Sequence, residues 1–287
     1  GLGDVYKRQV FTLRLPRIIG AVLVGSALSL SGAAYQGVFK NPLVAPDLLG
    51  VSSGACVGAS VAILLHLNSF GVQAMAFVAG ILAVGLTLFI PRLIKNTNMT
   101  MLVLSGIIVK GIMDSVMGII KYVADPETEL QSITYWQLGS LTKVLPKDLF
   151  TVGPVIVAAS VIIFLLRWRI NILSLGDREA KTLGVSVTIV RNFIIICATL
   201  LTASAVCISG TIGWIGLVIP HFARMLTGPD NTKAIPASIL MGAIFMVVID
   251  TLARALTSVE LPLSILTGII GAPFYIIILA RQRMKLS

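Results

Sequence analysis

The sequence predicts an all-α fold, a polytopic helical bundle embedded in a membrane. Three observations carry this. Hydrophobic residues make up 56% of the 287 and charged residues only 12%, where soluble domains carry about 25% charged residues; mean hydropathy is +0.98. Apolar segments recur along almost the whole chain. Two stretches are broken at the same spacings: Ser31-Gly32 with Pro42 and Gly50, and Ser209-Gly210 with Pro220 and Gly228. Interrupted segments at matching places in two halves point to a transport pathway. The net charge of +10 would suggest nucleic acid in a soluble protein. Here it lies between apolar runs, as the positive-inside rule requires.

In chain order, residues 1–9 have no long apolar core, so they are neither signal peptide nor membrane helix. They read as a non-native or truncated start of one transmembrane permease domain, 1–287. Nine segments can enter a bilayer: 18–39, 48–65, 72–91, 99–122, 150–166, 193–208, 211–219, 234–256 and 261–280. A full span takes about 20 residues. Segment 48–65 is marginal and 211–219 is short. The short one must be shielded by protein, because a broken backbone leaves polar groups unsatisfied in lipid. It is predicted to end at Pro220, with His221 and Arg224 at the membrane surface beyond.

With the C-terminus on one side, that side's loops hold Lys40, Arg92, Lys95, Arg167, Arg169, Arg178, Lys181, Arg191, Arg224, Lys233, Arg281, Arg283 and Lys285. The other side, beyond residue 17, holds Lys121, Lys143, Lys147 and Arg254. The basic side is therefore cytoplasmic. Nine spans leave the N-terminus outside, so one helix is expected to be missing before Arg14. The complete fold would then hold ten helices in two inverted five-helix repeats, with Gly32, Pro42 and Gly50 in register with Gly210, Pro220 and Gly228. Small residues at Gly25, Ser26, Ala27 and Ser29, and in Gly54-xxx-Gly58 and Ala76-xxx-Gly80, allow close helix contact in lipid.

Outside the apolar runs, Arg14-Leu15-Pro16-Arg17 stands at the outer end of the first span, where arginines can also simply snorkel. The outer loop 121–149, with Tyr135 and Trp136, fits a short helix lying on the surface. Residues 173–185 read as a short helix between two glycines, with Asp177 and Lys181 spaced to pair, suited to docking in another protein's groove. Inside segment 99–122, Lys110 and Asp114 are also spaced to pair, and Asp250 and Arg254 repeat the spacing. Cys56, Cys197 and Cys207 lie in apolar runs as packing residues. His66, in the turn 66–71, and His221 have no ligand partners nearby in sequence, and no metal site is expected. There is no phosphate-binding glycine loop and no nucleophile–base set, so the chain is not expected to be an enzyme.

These features coincide with a known pattern. R-L-P-R at 14–17, S-G-A-A-Y-Q-G-V-F-K-N-P-L-V-A-P-D-L-L-G-V-S-S-G-A at 31–55 and Y-W-Q-L-G-S-L at 135–141 are followed in order by three more motifs. These are L-G-D-R-E-A-K-T-L-G-V at 175–185, G-T-I-G-W-I-G-L-V-I-P-H-F-A-R at 210–224 and E-L-P-L-S-I-L-T-G-I-I-G-A-P-F at 260–274. The chain resembles the FecCD-type permeases of bacterial ABC importers, the group of the vitamin B12, iron–siderophore and haem permeases. It departs from them at the start, where G-L-G-D-V-Y-K-R-Q stands in the place of the additional first helix that the resemblance implies.

The resemblance implies a multi-pass subunit of the bacterial cytoplasmic membrane. It would act as a homodimer or with a paralogous permease, served by two ATP-binding subunits and an extracytoplasmic substrate-binding protein. ATP and magnesium belong to the ATP-binding subunits, and this chain binds no cofactor. Arg14, Arg17 and Arg254 would meet acidic residues of the binding protein. Loop 173–185 would be the coupling helix, through Leu175, Gly176, Asp177, Arg178, Glu179, Ala180, Leu183 and Gly184. Leu43, Thr100, Gly210, Gly213 and Pro220 would be gate or pathway positions. The expected cargo is an iron(III)–siderophore or a related chelate, haem or cobalamin, moving by alternating access through a cavity without fixed charges. An ion-coupled secondary transporter using Lys110 and Asp114, and a non-transporting membrane scaffold, are the alternatives. Neither accounts for both the loop 173–185 and the paired breaks.

Overall fold

A computed structural model describes residues 9–96, 98–257 and 259–283. The expected non-native or truncated start lies outside these residues except for Gln9, as does Lys285 of the basic count. After a π-helical turn, Gln9–Arg14, eleven α-helices follow among the described residues: Leu15–Phe39 (α1), Val51–Leu64 (α2), Ser69–Leu93 (α3), Met99–Val123 (α4), Glu129–Leu138 (α5), Pro146–Leu175 (α6), Asp177–Thr182 (α7), Val187–Ser209 (α8), Ile215–Thr227 (α9), Asn231–Ala255 (α10) and Leu263–Arg283 (α11). Helices α1, α3, α4, α6, α8 and α10 are long and apolar enough to cross a membrane. Each of the nine apolar segments holds a helix, and the outer loop holds α5. The protein is an all-helical, multi-pass membrane protein.

Short polar residues fix several starts. Asn68 accepts from Gly71 N at the head of α3, Asn98 from Met101 N at α4, and Asp230 from Thr232 N at α10. Each satisfies a backbone donor that the first turn leaves open. One boundary moves well beyond its apolar run: α6 continues to Leu175. Arg167 and Arg169 do not stop it, because an arginine can lay its stem along the helix and carry its charge outward. The Arg167 guanidinium sits 3.8 Å from the centre of the Phe164 ring.

The architecture repeats. Helix α1, a break, the 14-residue α2 and the 25-residue α3 are matched by α8, a break, the 13-residue α9 and the 25-residue α10. Packing is reciprocal as well: α1 lies against α9 and α10, and α8 against α2 and α3. Small residues permit the tightest crossings. A Cβ at Gly25 would overlap the Gly242 carbonyl, and one at Gly54 or Gly58 would meet backbone of α3. This is the close approach that small-residue pairs give helices in lipid. Helices α1 and α8 form the centre of the bundle and are its most buried spans.

The repeat corrects two expectations. The short segment does not end at Pro220, which lies inside α9; the break precedes it, at 210–214. The matched spacings of Gly32, Pro42 and Gly50 with Gly210, Pro220 and Gly228 are likewise not equivalent positions. Gly32 is mid-helix in α1, Gly210 follows the end of α8, Pro42 is in a loop, and Pro220 is in a helix. The breaks that correspond are 40–50 and 210–214.

Candidate transport pathway

The two breaks meet. Each turns through left-handed backbone: Lys40 and Gly50 have φ of 52° and 82°, and Gly210 and Trp214 have φ of 69° and 70°. For a residue as bulky as Trp214 this conformation is strained. A Cβ on Gly216, in the first turn of α9, would strike the Pro46 ring, so the two broken segments touch. Between them and α4 lies a cavity of about 340 Å³. Its wall includes Ala45, Pro46 and Asp47 from the first break and Thr211, Ile212, Gly213 and Trp214 from the second.

Backbone groups freed by the breaks are satisfied by protein, as burial in a membrane demands. The second break is stitched to the end of α5: Thr211 Oγ1 donates to Gln137 O at 2.6 Å, and Ser140 N to Ser209 O at 2.8 Å. Gln36 of α1, 4% exposed, braces both broken segments. Its Nε2 donates to Val44 O at 3.1 Å, Gly216 O at 3.4 Å and Leu217 O at 3.3 Å, and its Oε1 accepts from Arg224 of α9. This explains how Pro220 sits inside a helix. A proline cannot donate to the carbonyl four residues back; here that carbonyl is Gly216 O, and Gln36 donates to it instead.

The cavity carries fixed charges, contrary to expectation: Asp47, Lys110 and Asp114 all line it. Lys110 does not pair with Asp114. Its Nζ lies 3.1 Å from Asp47 Oδ2, while Asp47 Oδ1 accepts from Ser52 N at 2.9 Å in the first turn of α2. One carboxylate thus ties the first break to both α2 and α4. Among the pathway positions expected from sequence, Gly213 lines the cavity, Gly210 is buried beside it, and Pro220 is buried within α9. Leu43 and Thr100 are exposed outside the lining.

At the end of the bundle reached by the last turn of α1, helix α7 stands between Gly176 and Gly184 as the spacing predicts. Ala180 is fully buried, whereas Leu175 and Leu183 are 64% and 59% exposed; Arg178 and Glu179 are exposed too. Asp177 does not pair with Lys181. It lies 2.7 Å from Arg191 and 3.8 Å from Lys40.

At the opposite end, Arg17 is tied into the chain. Its guanidinium contacts Asp250 at 2.8 Å and Glu260 at 2.8 Å, Arg254 reaches Asp250 at 3.4 Å, and Thr142 Oγ1 donates to Glu260. Arg17 is 12% exposed and Asp250 only 2%; Arg14 is exposed. The Glu260 carboxyl is held below the usual carboxylate range, chiefly by the Arg17 hydrogen bond. Cys56, Cys197 and Cys207 are buried free thiols. His66 reaches Glu129 at 3.4 Å. Among the described residues no group of three or more His, Cys, Asp or Glu could hold a metal ion.

A reciprocal bundle of helices able to cross a membrane, with two broken segments converging on a cavity, has the architecture of a transport permease. The comparisons name the group: the model of the FecCD transport family matches residues 2–281, and the chain belongs to that family. It is 38% identical over 275 residues to the molybdate import system permease protein MolB of Haemophilus influenzae, covering 96% of this chain and 81% of MolB. It is 41% identical to a Helicobacter pylori permease named for an iron chelatin transport system, covering 96% and 83%. A solved transporter in an inward-facing conformation, described as of the metal-chelate ABC type, superposes with a TM-score of 0.92 at 37% identity, over 97% of this chain and 89% of that one.

Proposed function

We propose that this chain is the pathway-forming subunit of an ATP-driven importer of a metal chelate in the bacterial cytoplasmic membrane, with its C-terminus in the cytoplasm. The observation that carries this is the cavity walled by both breaks and braced by Gln36. It is a discontinuous lining at membrane depth, the kind of site that transporters build from interrupted helices. Two copies, or one copy and a paralogue, would enclose the path. Two ATP-binding subunits would dock on α7 through the apolar surface of Leu175 and Leu183, and a binding protein would deliver cargo at the Arg14, Arg17 and Arg254 end. Arg17 is largely covered and held by Asp250 and Glu260, so the exposed Arg14 and Arg254, the latter also touching Asp250, would supply most of the steering charge.

Relatives named for molybdate and for iron chelatin match this chain at similar identity, which supports a reading in which cargo choice rests largely with the binding protein. An iron(III)–siderophore is the first candidate, with haem, cobalamin and molybdate as comparators. The test is uptake into proteoliposomes holding the chain and its ATP-binding subunits, with each cargo offered on its binding protein. Uptake of one of them that needs ATP supports the proposal. Uptake driven by an ion gradient without ATP would favour the ion-coupled reading instead.

A further inference from the structure

Helix α7 and both breaks are joined through one carboxylate. Asp177 is the first residue of α7. Its Oδ1 lies 2.7 Å from Arg191 Nη2, in the second turn of α8, and 3.8 Å from Lys40 Nζ, at the left-handed turn that closes α1.

Each partner leads to a different part of the cavity wall. Lys40 opens the first break, and the chain from there to Ala45 is held by its own hydrogen bonds. Asn41 N donates to Gln36 O, Leu43 N to Asn41 Oδ1, and Gln36 to Val44 O. A pull on Lys40 is thus passed along a stiff loop to Ala45, Pro46 and Asp47. Arg191 belongs to α8, a rod of 23 residues, about 34 Å long at 1.5 Å per residue, whose far end opens the second break at Gly210. Meanwhile exposed Leu175 and Leu183 flank α7, whose own outer surface carries Arg178, Glu179 and Lys181, and the Asp177 carboxylate is engaged within the chain.

We infer that Asp177 is a positioning residue that transmits displacement of α7 to both breaks, through Lys40 to the first and through Arg191 and α8 to the second, and that it is not itself a contact for the ATP-binding subunit. This rests on the reading of α7 as the ATPase-docking helix. Asp177 and Lys40 are 52% and 37% exposed, so their pair adds little to stability, whereas Arg191 is only 16% exposed; unfolding midpoints taken beside uptake therefore separate a loss of folding from a loss of transmission.

The test measures cargo uptake and ATP hydrolysis together in the complete reconstituted transporter. With Asp177→Asn or Arg191→Gln, the subunit stays folded and the ATP-binding subunits co-purify at the wild-type ratio. Uptake per ATP hydrolysed falls about tenfold, the size of a typical coupling between sites. The double variant falls no further than Asp177→Asn alone, because that change already removes the contact that Arg191 makes. Lys40→Gln falls by a smaller factor, and Lys40→Arg retains wild-type uptake per ATP. The inference is overturned if Asp177→Asn sheds the ATP-binding subunits, if uptake per ATP stays at the wild-type value, or if the two single losses multiply. A wild-type complex that hydrolyses ATP without moving any cargo would instead sink the permease reading itself, and this inference with it.

Discussion

At the scale of single residues, the geometry of the pathway depends on side chains whose partners are far away in sequence. Gln36 is one of a few polar residues in a mainly apolar helix, and it satisfies carbonyls of both broken segments. Gln36→Leu would leave Gly216 O, Leu217 O and the Arg224 guanidinium without it. Buried polar groups stripped of a partner cost about 1–3 kcal/mol, so unfolding in mixed micelles should show a loss of about 2–3 kcal/mol. Glu260 gives a prediction in pH. Its folded pKa is depressed by Arg17, so the stability it contributes is complete above its unfolded value of about 4.3. That stability is lost as pH falls through the lower folded value. Wild-type protein should weaken through that acid window, and Glu260→Gln should weaken less steeply there; equal slopes would show that the Arg17 contact is not what sets the titration.

At the scale of elements, α9 shows where reading the sequence succeeds and where it stops. Its shortness, its glycines and its need for protein cover were visible in G-T-I-G-W-I-G-L-V-I-P-H-F-A-R. Its end was misplaced because a proline read locally is a helix breaker, and the donor that rescues it sits 180 residues earlier. The charged pairs failed in the same way. Lys110 with Asp114, and Asp177 with Lys181, have the right spacing on one helix, but Asp47 and Arg191 offer closer partners from other elements. Where both members stand at the end of one span, as Asp250 and Arg254 do, the local pairing survives. The contact between α9 and the first break is testable directly. In Gly216→Ala the new methyl collides with the Pro46 ring and the Leu28 carbonyl. Overpacking of this kind costs about 1–3 kcal/mol, and the variant should lose both thermal stability and uptake, whereas Gly85→Ala, with open space around it, should lose neither.

At the scale of the whole molecule, composition and segment count were enough to establish a membrane bundle. Two repeated halves and a cavity between them were expected from the paired breaks, but which helices pack reciprocally and which charges line the cavity were not legible, because they arise from contacts between distant elements, such as α1 with α10 and α8 with α3, that no local pattern encodes. The cavity predicts accessibility. A thiol at Ser53→Cys, on its wall, should react with a water-soluble thiol reagent at a rate that changes when the assembled transporter binds ATP. A thiol at Leu82→Cys, on an exposed apolar face, should react slowly and without regard to nucleotide. If both sites behave alike, the cavity is not part of the moving path. The proline in α9 bears on how the protein is made. A helix with an open carbonyl settles less readily into lipid alone, and the amide that closes this one belongs to α1. Because α1 leaves the ribosome first, its glutamine is already in the membrane when α9 arrives. The order of the chain therefore favours this assembly sequence, and a permuted gene that delivers α9 before α1 should yield less assembled subunit than the native order.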